Sequence, residues 1–193
     1  MSCKIIVTEF VTLDGVVEDP DGTLGTPFGG WAVRHGQGPV VDDKFRLGPI
    51  LDTGALLFGR VTWEIFSQRW PARTGDFAAV MNRIPKLVAS RTLESVEAWS
   101  NSVLLDGELT DAVARATAER DLVVVGSTSV VHQLAAAGVV DEYRMLVFPT
   151  VVGAGERLFA DGIPAELQLV SVDATDPAVL LRYTVAQQRE RAP

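Results

Sequence analysis

Cysteine and histidine are almost missing from this 193-residue chain: Cys3 stands alone, and the only histidines are His35 and His132. A single cysteine excludes a disulfide framework and any cysteine-based metal site. Two histidines far apart in sequence, with no His-Glu-x-x-His spacing, leave no zinc-hydrolase pattern and no Ser-His-Asp set, and we expect no bound metal. Neither a Gly-x-Ser-x-Gly elbow nor a Gly-x-x-x-x-Gly-Lys-Ser/Thr loop occurs. Positive charge is scarce too, with 17 Lys+Arg against 25 Asp+Glu and a formal net charge of -8. That balance argues against nucleic acid as a partner, because a phosphate backbone is held by clustered Lys and Arg. No window approaches the roughly 20 apolar residues of a membrane helix. Glu9 interrupts the apolar start and no small-residue cleavage site follows it, so the expectation is a cytoplasmic protein with a strand near its N-terminus.

What the chain does have is apolar bulk, with 47% hydrophobic residues, enough for one full core in a single domain spanning 1–193. Short β-branched or apolar runs read as strands at Lys4–Val11, Ala55–Phe58, Lys86–Ser90, Val103–Leu105, Asp121–Val125 and Glu142–Val152. Ala55–Phe58 and Asp121–Val125 are continuously apolar, as strands buried on both faces are. Helices are expected at about Pro39–Leu51, from Arg60, over Asp76–Arg83, over Leu109–Arg120 and over Val130–Ala137, where Gly138 ends the last. Two final strands, Leu167–Ala174 and Val179–Ala186, flank the turn Thr175-Asp176-Pro177 as an antiparallel hairpin. Strands alternating with helices, then a hairpin, indicate an α/β fold with a mostly parallel sheet. Residues 18–38 hold six glycines in a connection longer than most, the mark of a functional or mobile loop.

In open α/β sheets, ligands lie beyond the carboxyl ends of parallel strands, where glycine turns enter helices. Two such turns occur. In Leu57-Phe58-Gly59-Arg60-Val61-Thr62, Gly59 permits close backbone approach, Arg60 is a bidentate phosphate donor and Thr62 adds a hydroxyl. In Val125-Gly126-Ser127-Thr128-Ser129, free amides and hydroxyls suit a pyrophosphate, and equally suit plain helix capping. At a third strand end, Ser90-Arg91-Thr92 offers the donor cluster that an adenosine 2′-phosphate requires, favouring NADP over NAD.

Thr12-Leu13-Asp14-Gly15, the Gly59 turn, Ser90-Arg91-Thr92, Val125–Ser129, Gly138-Val139-Val140-Asp141-Glu142 and Phe148–Phe159 follow one another in an order that resembles the dihydrofolate reductase superfamily. Within it, the chain is most similar to the C-terminal reductase domain of the bifunctional riboflavin-biosynthesis deaminase–reductase, from about Lys4 to Val185. The resemblance implies a three-layer α/β/α fold with about eight strands, mostly parallel, and an antiparallel C-terminal hairpin. It implies NADPH as cofactor, hydride transfer to a pterin or pyrimidine, and a homodimer. Carried over residue by residue, Gly59, Arg60 and Thr62 hold cofactor phosphates, Ser90 and Arg91 lie near the 2′-phosphate, and Gly126, Ser127, Thr128 and Ser129 surround the pyrophosphate. Thr12, Asp14 and Gly15 border nicotinamide and substrate, with 18–38 as a lid. Two departures stand out. Relatives often carry a second glycine in the Gly-Ser-Thr-Ser turn, where Thr128 here adds a side chain. The proton-supplying carboxylate has no fixed register, which leaves Asp14, Asp43 or water as the source.

Two functions remain open at this level. One is an NADPH-dependent reductase of a small heterocycle. The other is a catalytically silent nucleotide- or cofactor-binding protein that retains the fold.

Overall fold

The computed structural model describes residues 3–36 and 42–186. The chain runs β1 (Ile5–Thr12), α1 (Ile50–Thr53), β2 (Ala55–Gly59), α2 (Arg60–Arg69), α3 (Asp76–Arg83), β3 (Lys86–Ala89), β4 (Ser102–Leu104), α4 (Leu109–Thr117), β5 (Leu122–Val124), α5 (Thr128–Ala136), β6 (Glu142–Phe148), β7 (Leu167–Thr175) and β8 (Ala178–Val185). The eight strands form one sheet in the order β4-β3-β2-β5-β1-β6-β8-β7. Those from β4 to β6 are parallel, and β8 then pairs antiparallel with both β6 and β7.

Alternation along the strands divides the core between the two faces of the sheet. On one face Ile5, Val7, Leu57 and Val124 pack against Val113 of α4 and Val130, Val131 and Leu134 of α5. On the other, Leu56, Phe58, Val88 and Val123 meet Leu51 of α1, Trp63 of α2 and Met81 of α3, with Trp99 beside them. This is the three-layer α/β/α arrangement, with mostly parallel strands and an antiparallel C-terminal pair. Trp31, Leu146, Phe148 and Leu180 make a third cluster beneath the 18–36 loop.

One helix differs from expectation. The segment read as helical over Pro39–Leu51 is helical only from Ile50 to Thr53. Asp42, Arg46 and Gly48 all adopt positive φ, which the right-handed helix does not allow, and Pro49 comes directly after them. Residues 37–41 lie outside the described residues. β6 stops at Phe148, one residue before Pro149, where an interruption or bend in the Glu142–Val152 run is expected.

Two polar groups are built into the core. Lys86 is fully buried. Its ammonium donates to the carbonyls of Asn82 (3.1 Å), Ile84 (2.8 Å) and Ser100 (3.0 Å) and stands 4.4 Å over the Trp99 ring. Two of those carbonyls lie at the C-terminal end of α3, where orphan acceptors need a donor, and burial pulls the Lys86 ammonium down to about 8. Glu142 on β6 is held between Arg144 and Arg182. Among the described residues, no helix is long and apolar enough to cross a membrane.

Candidate active site

Strand order sets the location of the site. The chain leaves β1, builds β2, β3 and β4 outward on one side, then returns to insert β5 between β2 and β1. The carboxyl ends of β1, β2, β3 and β5 therefore open into one crevice, as expected at a switch in strand order. A cleft of about 1500 Å³ lies there. Pockets for drug-sized ligands span roughly 300–1,000 Å³, so this cleft has room for a dinucleotide together with a second small molecule.

The Gly59, Arg91 and Gly126 turns meet along this cleft. Gly59, Arg60, Thr62, Ser90, Arg91, Gly126, Ser127, Thr128 and Ser129 all line it. The first turns of α2 and α5 both point in. Gly59 at the start of α2 and Ser127 at the start of α5 make no side-chain capping bond, so the first-turn amides that follow them are not taken by a capping side chain. The capping alternative for Ser127 is therefore not what the structure has. The Ser127 hydroxyl instead lies 3.3 Å from Thr62 Oγ1, tying the two helix starts together. The turns pack closely. Gly59 N donates to Gly126 O at 3.0 Å, and a Cβ on Gly59 would fall 2.4 Å from Ser127 Oγ. The Gly126–Ser127 peptide is cis, and Gly126 takes φ 74°.

Arg60 is engaged with Glu64 one turn along α2, at 2.9 Å. Arg91 stands exposed at the end of β3, next to Ser90, whose hydroxyl accepts the Thr92 and Leu93 amides. Apolar and aromatic side chains form part of the cleft wall. Phe10 and Phe45 stack at 5.4 Å, and Phe66, Trp70 and Phe77 extend the wall.

Thr12, Asp14 and Gly15 are not among the cleft-lining residues. Asp14 accepts the Thr12 hydroxyl (2.6 Å) and the amides of Val152 (3.3 Å) and Gly153 (2.8 Å). The Thr12 bond first, and the two amides with it, hold its carboxyl below the usual aspartate range. Asp43 also lies off the lining, with its two oxygens taken by the Leu47 (2.8 Å) and Gly48 (2.7 Å) amides. Both carboxylates organise loops in this structure.

The carboxylate on the cleft floor is Glu9, which sequence reading treated only as an interruption in an apolar run. It follows Val7 on the same face of β1, and its Oε1 would lie 3.3 Å from a Cβ on Gly126. Burial pushes its carboxyl up to about 8. A charged residue flanked by Thr8 and Phe10 in a central strand was the available signal, because such a residue rarely occupies a buried strand without a task.

The loop after β1 closes one side of the cleft and is pinned rather than slack. Asp19, buried and at φ 51°, accepts the amides of Leu24 (2.8 Å) and Thr26 (2.9 Å) and the Thr26 hydroxyl (2.9 Å). Arg69 of α2 reaches across to Asp21 and Thr23 of the same loop. Burial pushes the Asp21 carboxyl up, but the Thr23 and Arg69 bonds outweigh it and hold the group low. His132 donates to or accepts from no cleft group; its Nε2 meets the Arg157 and Leu158 carbonyls at 3.0 and 3.1 Å. Among the described residues, no group of three or more His, Cys, Asp or Glu is arranged to hold a metal.

Residues 3–181 match the model of the RibD C-terminal domain family. The uncharacterized protein YyaP of Bacillus subtilis (strain 168) is 23% identical over 165 residues, covering 82% of this chain and 81% of that protein. A putative riboflavin biosynthesis protein from Shewanella sp. PV-4 superposes with a TM-score of 0.73 at 20% identity, covering 97% of this chain and all of that one. The NADP(H)-complexed dihydrofolate reductase of Enterococcus faecalis superposes at 0.55 with 13% identity, over 96% of this chain and 99% of its own. The two structural likenesses carry the fold and the family model carries the branch: the chain belongs to the RibD C-terminal domain family, on the fold it shares with dihydrofolate reductase.

Proposed function

We propose that this protein is an NADPH-dependent reductase that transfers a hydride to a small planar heterocycle, pterin- or folate-like or a pyrimidine of the riboflavin type. The observation that carries this reading is the convergence of two uncapped helix starts, α2 and α5, on one cleft flanked by Arg60 and Arg91. A dinucleotide fits what is present. Two amide-rich turns suit a pyrophosphate, and Arg91 with Ser90, one strand further out, suits a 2′-phosphate. At Gly126 a Cβ would intrude between Thr62 Oγ1 (3.1 Å) and Glu9 Oε1 (3.3 Å), which marks a place kept open for backbone approach. NADPH, when bound, supplies the hydride. The chain's own residues hold phosphates at Gly59–Thr62 and Gly126–Ser129, stack a flat ring against Phe10 and Phe45, and exclude water with the 18–36 loop.

Tryptophan-fluorescence titration tests this directly. Saturable NADPH binding is expected, with Arg91→Ala weakening NADPH by roughly 10–100-fold, the range of a charge-assisted bond, and leaving NADH nearly unchanged. The absence of saturable NADPH binding overturns the reading. The engagement of Asp14 and Asp43 with backbone amides favours a second reading, a silent nucleotide-binding protein; cofactor bound tightly but not oxidised by any pterin or aminopyrimidine would select it.

Homodimerisation belongs to the same proposal. β7 is one of the two edge strands of the sheet, and its Leu169, Val170 and Val172 are about half exposed, an apolar edge of the kind that pairs with another copy. Light scattering is expected to give twice the 20.8 kDa chain mass, and Val170→Lys with Val172→Lys to return it to the single value. A wild-type mass of one chain removes this part. NADPH as cofactor and an unpaired Cys3 suit a reducing, cytoplasmic setting.

A further inference from the structure

An acidic side chain on the floor of an anion cradle needs an explanation. Glu9 lines the cleft between the first turn of α2 and the Gly126 turn, close to Gly126 and Thr62. The charged groups on the elements around it are already committed. Arg60 of α2 is paired with Glu64, and Arg144 of the neighbouring β6 with Glu142. In the loop after β1, Asp19 is bound to Leu24 and Thr26, and Glu18 accepts the Glu156 amide at 3.0 Å. The turn from Gly126 to Ser129 carries no ionisable side chain. Burial is the influence acting on the Glu9 carboxyl, with no cation set against it, and it lifts the group to about 8.

We infer that Glu9 is a ligand-contacting residue whose proton is linked to cofactor binding: a phosphate-bearing ligand seats over Gly126 only with the Glu9 carboxyl neutral and donating its O–H. This rests on the dinucleotide reading of the cleft. The balance is one proton taken from solvent by the Glu9 carboxylate for each ligand bound, when binding starts from the ionised form. An ionised Glu9 beside a phosphate would place two anions together in a desolvated site, whereas the neutral acid offers the phosphate oxygen a hydrogen bond. The sign follows. Below about pH 8 the carboxyl is already neutral and affinity is level; above it, each pH unit removes up to tenfold in affinity, because the competent form becomes that much rarer.

Fluorescence titration of NADPH from pH 7 to 9.5 tests this, since a phosphate monoester has finished its second ionisation (near pH 6) below that window. Wild-type Kd is expected to rise toward tenfold per unit above pH 8. Glu9→Gln keeps the shape of the side chain and cannot ionise, so its Kd is expected to stay level and to be at least tenfold tighter than wild type at pH 9.5. Lys86 also titrates near pH 8, but it lies outside the cleft lining, and any slope it contributes would persist in Glu9→Gln. Calorimetry of the unsubstituted protein at pH 9 in two buffers of different ionisation enthalpy gives a second readout, with uptake of nearly one proton expected. Saturable wild-type binding that is level with pH, parallel slopes in the two proteins, or no proton uptake overturns the role of Glu9 and leaves the cofactor reading intact. Failure of the wild type to bind NADPH at any pH overturns both.

Discussion

Glu142→Ala is expected to lower the unfolding free energy by about 3–5 kcal/mol, the cost of removing one partner from a buried ion pair. Against the 5–15 kcal/mol of ordinary domain stability, that is a large share of the total. Glu142 is 2% exposed and Arg144 4%. Glu142 Oε1 accepts Arg144 Nε at 2.7 Å and Arg182 Nη2 at 2.9 Å, with Lys4 Nζ 3.7 Å from Oε2. Without the carboxylate, Arg144 keeps only its bonds to the Phe45 (3.0 Å) and Arg46 (2.6 Å) carbonyls and becomes an uncompensated buried cation. The urea midpoint should fall, while a paired Glu142→Met, Arg144→Met replacement should recover most of the loss, because the buried cation goes with its partner and the Arg182 that remains is partly exposed to water. A double variant as unstable as Glu142→Ala would show that the network is not the cause. The consequence reaches the cleft, since Arg144 anchors the backbone beside Phe45, which stacks on Phe10 in the aromatic wall.

The same group gives the fold an acid limit. Burial pushes the Glu142 carboxyl up, but the hydrogen bonds and charges of Arg144 and Arg182 outweigh burial and hold it below 4.5. A carboxyl depressed in the folded state contributes stability in full above its unfolded value of 4.5, and loses it as pH falls through the lower folded value. Wild-type stability should therefore decline below about pH 4.5, and Glu142→Gln should lack that part of the slope.

The parallel sheet was legible because its evidence is local. Ala55–Phe58 and Leu122–Val124 are apolar at every position, which only a strand covered on both faces accommodates, and the glycines after them announce the turns. Those same turns are the ones that the structure gathers along the cleft. The roles of the carboxylates were harder to read, for a physical reason. Asp14 and Asp43 follow turn positions where an aspartate satisfies backbone amides, and that use has the same sequence signature as a catalytic acid. Glu9 was passed over because one polar residue in an apolar run looks like a flaw in the pattern, and only the register with β5 and the neighbouring Gly126 shows what it faces. The expected helix before Leu51 failed for a related reason. Val41 and Phe45 stand one helical turn apart, but the positive φ angles of Asp42, Arg46 and Gly48 interrupt any helix there, and spacing does not encode them. Asp19, the residue that shapes the loop over the cleft, was invisible because its partners Leu24 and Thr26 are amides and a hydroxyl rather than a recognisable motif.

Gly59→Ala should impair both the fold and the cofactor cradle, and the reason can be isolated. Gly59 sits at φ -79° and ψ 165°, a conformation open to any residue, so alanine pays no backbone penalty. The cost is steric. An added Cβ would lie 2.4 Å from Ser127 Oγ, 2.9 Å from Ser127 Cβ and 3.1 Å from Ser127 N, so the turn that opens α5 must move away from β2. Overpacking of this kind costs about 1–3 kcal/mol. NADPH affinity should fall by roughly tenfold or more, since hydrogen bonds weaken quickly as distance and angle depart from their optimum. Ser127→Gly removes the two nearest clashing atoms and, on its own, gives up little more than the 3.3 Å contact with Thr62. The double variant Gly59→Ala, Ser127→Gly should therefore be more stable than the two single losses predict, with a coupling of about 1 kcal/mol or more between residues in contact. Chemical denaturation of the four proteins measures that coupling, and NADPH titration of the same set should show affinity recovering with it. Additive losses would mean that the approach of β2 to the α5 turn does not limit the cradle. Recovery of stability without recovery of affinity would assign the Ser127 hydroxyl to the ligand itself.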